Sequence, residues 1–536
     1  MSSGTLPNII RSISVEPPVF FFAVSVGLVL NSNFDLYFER TCELGSSLFG
    51  NGTTFSEDVC ANLDKPENEG AETYVEFQIY RLAFVSAAIK ALPCIVLAML
   101  AGPWSDRFGR KLLIALPLIG FVIADAVFVT LASIETVGPD YILFETIHDL
   151  FGGIPLLMLG AFAYIVDVAP KETRSSRMAI LEAVFLVGLA LGDLVGGPID
   201  SFAGHSPIYI LSLILILAGI LSVPAFLKLK QAVNKSDQVP IMVTEDPELE
   251  VPSTSMMKIF FKPKNVSQTL AIGTQKPESG NRGIVWILIL IFFFLELVTL
   301  GEKITDVMYV RETFPSEDLA AFTMWWNTFY AIFTAWGIFC LAVMVPVLKQ
   351  VYHFCDPTII LIAVIGGFLR SITFLLATDR AHLFIGSFVD MFNLAGIVAT
   401  RSSLASLVDD KDIGKLFGLL AVVQSIASGL SPLYHLMFEG TQNFHPGLSF
   451  CIHATIYIII GLAAIYLILH FRRNRIGYFQ KPEFVETEAN VVNRLSQVCV
   501  PNISHDVGSI VMNSNTNNDN NDSNNNHNNI TNNNNQ

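Results

Sequence analysis

The sequence predicts an all-α membrane protein, with twelve transmembrane helices in two six-helix bundles. Three observations carry that prediction. Of the 536 residues, 52% are hydrophobic and only 15% charged, where a soluble domain averages roughly 25% charged. The apolar residues fall in blocks of about 18 to 25, the length that crosses ~30 Å of hydrocarbon as helix. A long polar stretch at 228–282 divides the blocks six and six. The formal net charge is −15. Much of it sits in loops and the tail, so it says little about partners, and nothing points to nucleic acid.

Residues 1–17 form a polar N-terminus. The first apolar run, "PVFFFAVSVGLVL", continues into "NSNFDLYFE" with no small-residue cleavage site, so it is a span at about 18–38 rather than a cleaved signal. Further spans at about 76–101, 112–134, 140–168, 177–198 and 205–227 complete an N-terminal bundle, 18–227. After the central loop, 228–282, spans at about 283–310, 319–348, 357–378, 381–406, 414–437 and 447–471 make a C-terminal bundle, 283–471. The remainder, 472–536, runs into "NSNTNNDNNDSNNNHNN". Such composition buries too little apolar surface to fold and reads as a disordered tail.

Cations set the orientation, because cytosolic loops collect Lys and Arg. Arg107, Arg110 and Lys111 follow span 2; Lys171, Arg174 and Arg177 follow span 4; Lys228, Lys230 and Lys235 follow span 6; Arg472, Arg473 and Arg475 follow span 12. Both termini, the central loop and the tail are then cytosolic, and the large loop 39–75 is lumenal. That loop holds Cys42, Cys60 and the sequon Asn51-Gly52-Thr53. An oxidising lumen suits a Cys42–Cys60 bridge and a glycan on Asn51. The sequons at Asn234, Asn265, Asn502, Asn521 and Asn529 face the cytosol and should stay bare.

Between spans 2 and 3 lies "GPWSDRFGRK". Gly102 and Gly109 give the tight turn and close approach that a short connection needs. Asp106 at a helix end can pair with a cation or cap a neighbouring helix. Arg107 and Arg110 anchor the cytosolic side and can reach carboxylates at other span ends. A basic loop that merely sets topology is the plainer reading. The halves also share a weak repeat, in which Arg177 meets Lys415, Leu181 meets Leu419 and Ala183 meets Ala421. The stretch Gly102-x-x-x-Asp106-Arg107-x-Gly109-Arg110-Lys111 resembles the signature of the major facilitator superfamily, which implies that the acid latches the outward-facing state. The loop after span 8, "LKQVYHFCDP", lacks the Asp-Arg pair, so a one-sided latch is expected.

A narrower likeness follows. "YVEFQIYRLAFVSAAIKALPCIVLAMLAGPWSDRFGRKLL", "KETRSSRMAILEAVFLVGLALGDLVGGPI", "GEKITDVMYVRETF" and "TRSSLASLVDDKDIGKLFGLLAVVQSIASGLSPLYHLMF" are similar to the solute carrier 46 family, over roughly 18–471. The resemblance implies proton-driven uptake of an organic anion, with folates the best-known cargo and muropeptides and steroid conjugates others. It also implies a proton-coupling role for Glu182. One departure concerns the disulfide: folate-carrying members are expected to bridge the first lumenal loop to the loop after span 7, and here that later loop has no cysteine.

A charge at mid-bilayer costs at least ~2.5–3.5 kcal/mol, so each one needs a reason. Glu182, about five residues into span 5, faces Leu420 in the repeat, so the fold does not require an acid there. A carboxylate in an apolar, partly wet cavity can bind and release protons near neutral pH; an ion pair with a nearby Arg is the structural alternative. Arg401 in span 10 and Arg370 in span 9 offer planar forks for a cargo carboxylate, with structural pairing the rival and Arg370 leaning towards it. Lys90 in span 2 is deep enough to face a cavity, whereas Arg81 can snorkel. Glu302 and Asp306 share a face of span 7 and either meet cargo or form a network with Lys303, with Gly301 as a bend point. Asn31, Asn33, Asp35 and Tyr37 place polar groups down span 1 for cargo. Asp125 has no evident partner. Histidine as a residue type suits sensing of an acidic exterior, which makes His148, His382 and His435, near lumenal ends, candidates, with ordinary interface histidines the plainer reading. No spacing suggests a metal, cofactor or nucleotide loop, and no nucleophile–base set suggests an enzyme. The partners implied are a small organic anion, protons and the bilayer, for a monomer in the plasma or endolysosomal membrane.

Overall fold

The computed structural model describes residues 14–45, 53–60, 65–134, 136–237, 258–273, 282–314, 319–442 and 444–474. Asn51, His435's side chain and the tail beyond 474 lie outside them. Among the described residues, twelve helices are long and apolar enough to cross a membrane. We number them α1 Glu16–Leu44, α2 Glu69–Phe108, α3 Lys111–Ala132, α5 Arg174–Ala203, α6 His205–Asp237, α7 Arg282–Thr313, α9 Asp356–Leu375 and α12 Ser449–Asn474. The others are composite. α4 spans Pro139–Val168, α10 spans Arg380–Leu407, α8 runs 319–350 with a π-helical stretch at Cys340–Met344, and α11 joins Ile413–Leu430 to Leu433–Gln442. Hydrocarbon leaves backbone groups no water to bond, so helices that satisfy themselves are the available solution. Leucines that would be buried in a soluble protein face outward here, among them Leu221, Leu92 and Leu462, 73%, 67% and 65% exposed.

Within the N-terminal six helices, α1 and α5 touch backbone to backbone. A Cβ on Gly196 would stand 2.7 Å from the Leu28 carbonyl oxygen, and one on Gly192 would overlap the Val24 carbonyl. Small residues every fourth position are what lets membrane helices approach this closely. The breaks in the composite helices have local causes. Pro432 lacks the N–H that would continue α11. α4 turns at Gly152 and Gly153, with φ of 98° and 52°.

The polar stretch 228–282 is more than a loop. It carries a short helix, Pro263–Ala271, whose Thr269 hydroxyl donates to the Met99 carbonyl of α2 at 2.7 Å. Asn265 donates its amide to the carbonyls of Ile259 and Phe260, 2.9 Å each, and is buried as a residue.

Cys42 at the end of α1 is disulfide-bonded to Cys60, 18 residues on. Closing a loop of that length restricts the unfolded chain by about 3 kcal/mol. Replacing both cysteines by serine should therefore lower stability by about that amount. Thermal unfolding of the purified double variant checks this, and an unchanged midpoint would contradict it.

Candidate functional site

Three ionisable side chains from three membrane-spanning helices meet inside the bundle. Arg401 of α10 donates through Nη1 to Glu182 Oε2 of α5 at 3.0 Å, and through Nη2 to Glu296 Oε1 of α7 at 2.9 Å. Gln424 of α11 adds its amide to Glu296, at 3.4 and 3.5 Å. The guanidinium is covered by rings, with its carbon 4.6 Å from the Phe162 centroid and 5.2 Å from that of Phe292. The exposures are unequal. The Arg401 and Glu296 side chains are 4% and 8% exposed and that of Glu182 is 14%, so Glu182 is the less buried of the two carboxylates. Two carboxylates share one cation. With all three ionised the group carries an uncompensated negative charge in a poorly solvated place, which a single proton cancels. The structure thus brings two sequence candidates, Glu182 and Arg401, into one ion pair, and adds Glu296. That residue stands as a lone acid in "FFFLELVTL", a signal that the cost of intramembrane charge should have raised.

At the end of the bundle that carries the basic loops, the glycines and the acid of the Gly102–Lys111 stretch meet the start of α11. Asp106 accepts from the N–H of Gly414 at 2.7 Å and of Lys415 at 3.2 Å. These are orphan donors of a helix N-terminus, whose partial positive charge favours an anion. A Cβ on Gly102 would lie 2.6 Å from the Gly414 carbonyl oxygen, so only glycine permits the contact. Gly109, at φ 90°, turns the chain into α3. Arg110 holds Asp106 at 2.8 Å and Asp167 of α4 at 2.9 Å. Arg107 is exposed and contributes only charge at the surface.

The one-sided latch must be corrected. Asp356, at the start of α9, accepts from the Ser175 hydroxyl of α5 at 3.0 Å and from Lys349 at 2.7 Å. Arg174 reaches Asp410 at 3.2 Å. Both sides of this end are tied, and the second acid lies just beyond where a loop motif would place it.

Other candidates land elsewhere. Arg370 is 2% exposed among Glu302, Asp306 and Asp390. It is occupied in this conformation, and it corrects the expected Glu302–Asp306–Lys303 network: Arg370 neutralises Asp306 while Lys303 is exposed. Glu302 is likewise buried, with Arg370 Nη1 3.2 Å from its Oε2. Asp35 is exposed on α1 and Lys90 half-buried on α2; neither joins the Arg401 group. Asp125 does have a partner, the Ser212 hydroxyl at 2.6 Å, itself 2.6 Å from Ser25. His148 stacks on Phe121 at 4.1 Å, and His382 lies 3.0 Å from Asp379. His205, not singled out by sequence, pairs with Asp200 at 2.7 Å and lies 3.6 Å from Glu39.

The family model described as Major Facilitator Superfamily matches residues 77–378. The chain belongs to the major facilitator superfamily. Its family is one of transporters rather than enzymes, and it is a multi-pass membrane protein. It is 23% identical to the proton-coupled folate transporter of Rattus norvegicus, over 67% of this chain and 72% of the relative. It is 23% identical to a lysosomal proton-coupled steroid conjugate and bile acid symporter of Gallus gallus, over 76% and 84%. It is 20% identical to a probable peptidoglycan muropeptide transporter of Drosophila melanogaster, over 86% of each. All three are solute carrier 46 proteins, as the sequence resemblance implied. The human organic anion transporter MFSD10 has the same fold, with TM-score 0.60, 15% identity, and 84% of this chain and 97% of that one covered.

Proposed function

We propose that the chain is a proton-coupled symporter of a small organic anion, working by alternating access between its two six-helix halves, 18–227 and 283–471. The observation that carries the reading is the bond of Arg401 to both Glu182 and Glu296, which ties one half to the other through a charge-mismatched triad. Glu182 and an anionic cargo compete for the same guanidinium. When Glu182 takes a proton its hold on Nη1 weakens, and a cargo carboxylate can occupy the fork. Loaded with anion and proton, the site carries no more charge than before and can reorient. Unloaded of its proton, Glu182 reclaims Arg401 and expels the anion. The ties at Asp106 and Asp356 hold the basic end shut in this state, and we read that end as cytosolic. The anion preference is supported by the Arg401 guanidinium, and the proton by the likeness to proton-coupled carriers.

The test is uptake of labelled folate and of a labelled muropeptide by cells that display the chain at the surface, at outside pH 5.5 and 7.4. The reading predicts higher uptake of at least one at the acid pH. A Glu182→Gln carrier, with nothing to protonate, should lose acid-stimulated accumulation by more than tenfold, about 1.4 kcal/mol, while still exchanging internal for external cargo. Normal acid-driven accumulation by that variant would overturn the assignment of Glu182.

A further inference from the structure

A second buried charged cluster lies wholly within the C-terminal six helices. Arg370 of α9 faces three carboxylates. Glu302 Oε2 of α7 is 3.2 Å from its Nη1, Asp306 Oδ2 of α7 is bonded to its Nη2, and Asp390 Oδ2, at the break in α10, is 3.8 Å from its Nε. The Phe374 ring covers the guanidinium at 4.4 Å. The residues are 2% (Arg370), 5% (Glu302), 8% (Asp306) and 1% (Asp390) exposed. The other titratable groups facing the cluster are Tyr309 from α7, Tyr434 from α11, and His453 and Tyr457 from α12. Tyr309 is committed to the Phe374 carbonyl, and Tyr434 packs its ring on His453 at 5.0 Å. Tyr457 donates to Glu302 Oε1 at 3.2 Å, and Asn393 bridges Asp390 and Tyr457 at 3.2 and 3.1 Å.

The charge count does not close. Three carboxylates meet one guanidinium, so full ionisation leaves two uncompensated negative charges among buried side chains, which burial strongly disfavours. The atoms that would take protons are there. Asp306 Oδ1 and Asp390 Oδ1 are buried with no hydrogen-bond partner, and so are both ring nitrogens of His453. His453 is 0% exposed, and its Nδ1 points at Glu302 Oε1 from 3.9 Å. A buried imidazole with neither nitrogen satisfied, aimed at a carboxylate, is a place a proton can fill. Metal is the weaker candidate: among the described residues no group of three or more His, Cys, Asp or Glu side chains is arranged to hold an ion.

We propose that Glu302, Asp390 and His453, gathered around Arg370, form a second proton-binding site, separate from the Arg401 group and occupied at neutral pH. The bound protons reside on Glu302 and Asp390, and His453 exchanges with Glu302 across the short gap. The site shares α7 and α10 with Glu296 and Arg401, so a change in its occupancy acts on the helices that hold the transport triad. It does not depend on which solute is carried.

Infrared spectroscopy of the purified full chain in lipid nanodiscs tests this without any cargo. The readout is the C=O stretch of protonated carboxyl groups at pH 7.4. We expect it in the wild type and in Glu182→Gln, and expect it reduced in Glu302→Gln and again in Asp390→Asn. A band undiminished in both amide variants, or absent from the wild type, overturns the proposal. Thermal unfolding gives an independent reading. An amide replaces a protonated carboxyl with no change of charge, so both variants should unfold near the wild-type temperature at pH 7.4. The wild type should lose stability towards alkaline pH, as its protons leave, and the variants should lose less. Failure of both variants to fold, or a wild type indifferent to alkali, counts against the site.

Discussion

Arg401→Met is expected to abolish transport and to destabilise the protein by about 3–5 kcal/mol, the cost of removing one partner from a buried ion pair. The variant leaves Glu182 and Glu296 facing one another with nothing between them but a thioether. Methionine fills most of the volume and keeps contact with Phe162 and Phe292, so the loss is of charge rather than of packing. Two carboxylates that cannot both ionise in that space will compete for a single proton. The distinguishing result comes from adding Glu182→Gln and Glu296→Gln. That triple variant has no buried charge at the site and should regain most of the lost stability, because a neutral replacement of an ion pair is far less costly than half of one. It should not regain proton-driven uptake. Folded yield and unfolding temperature measure the first effect, and uptake at two values of outside pH the second. Stability unchanged in Arg401→Met would mean that the triad is not the buried charged unit described here.

Gly102→Leu has the second largest expected effect, and it acts about the end rather than the centre of the molecule. The close neighbours of a Cβ at 102 are backbone atoms of α11, with the Gly414 carbonyl oxygen at 2.6 Å and Lys415 Cα at 3.2 Å. Backbone cannot rotate out of the way as a side chain would, so α2 and α11 must separate. Separation carries Asp106 away from the two N–H groups it caps, worth about 1–2 kcal/mol for a charged cap at a helix N-terminus. The closed basic end is then lost, and transport should fall by more than about tenfold, since 1.4 kcal/mol is a factor of ten. Spin labels on Arg107 and Lys411, both exposed residues on opposite halves, should show a longer distance in the variant. An unchanged distance with normal transport would show that the Gly102–Gly414 contact does not govern closure.

The twelve helices were legible because the bilayer imposes a length on each apolar block, and that length does not depend on what the block packs against. The Gly102–Lys111 stretch was legible because a short loop between two helices demands glycine and charge at fixed places. What could not be read was pairing across the fold. Glu296 lies 105 residues from Arg401 and Glu182 lies 219 from it, and no local pattern joins them. Asp390 is unremarkable in "GSFVDMFNLAG" until the break in α10 turns it towards Arg370. Asp306 and Lys303 look like natural partners at helical spacing, yet a guanidinium from α9 takes the acid while the lysine is exposed. Asp356 escaped notice for a different reason: the second tie is made by an acid at a helix start and a serine, without the arginine that marks the first.

The most direct test of proton coupling uses the purified chain in liposomes with an entrapped pH-sensitive dye, and folate and a muropeptide as solutes. Proton symport predicts that an inward gradient of the carried solute acidifies the interior, that a protonophore abolishes accumulation, and that Glu182→Gln exchanges solute without acidification. Solute accumulation with no movement of protons, in the wild type, would contradict the account.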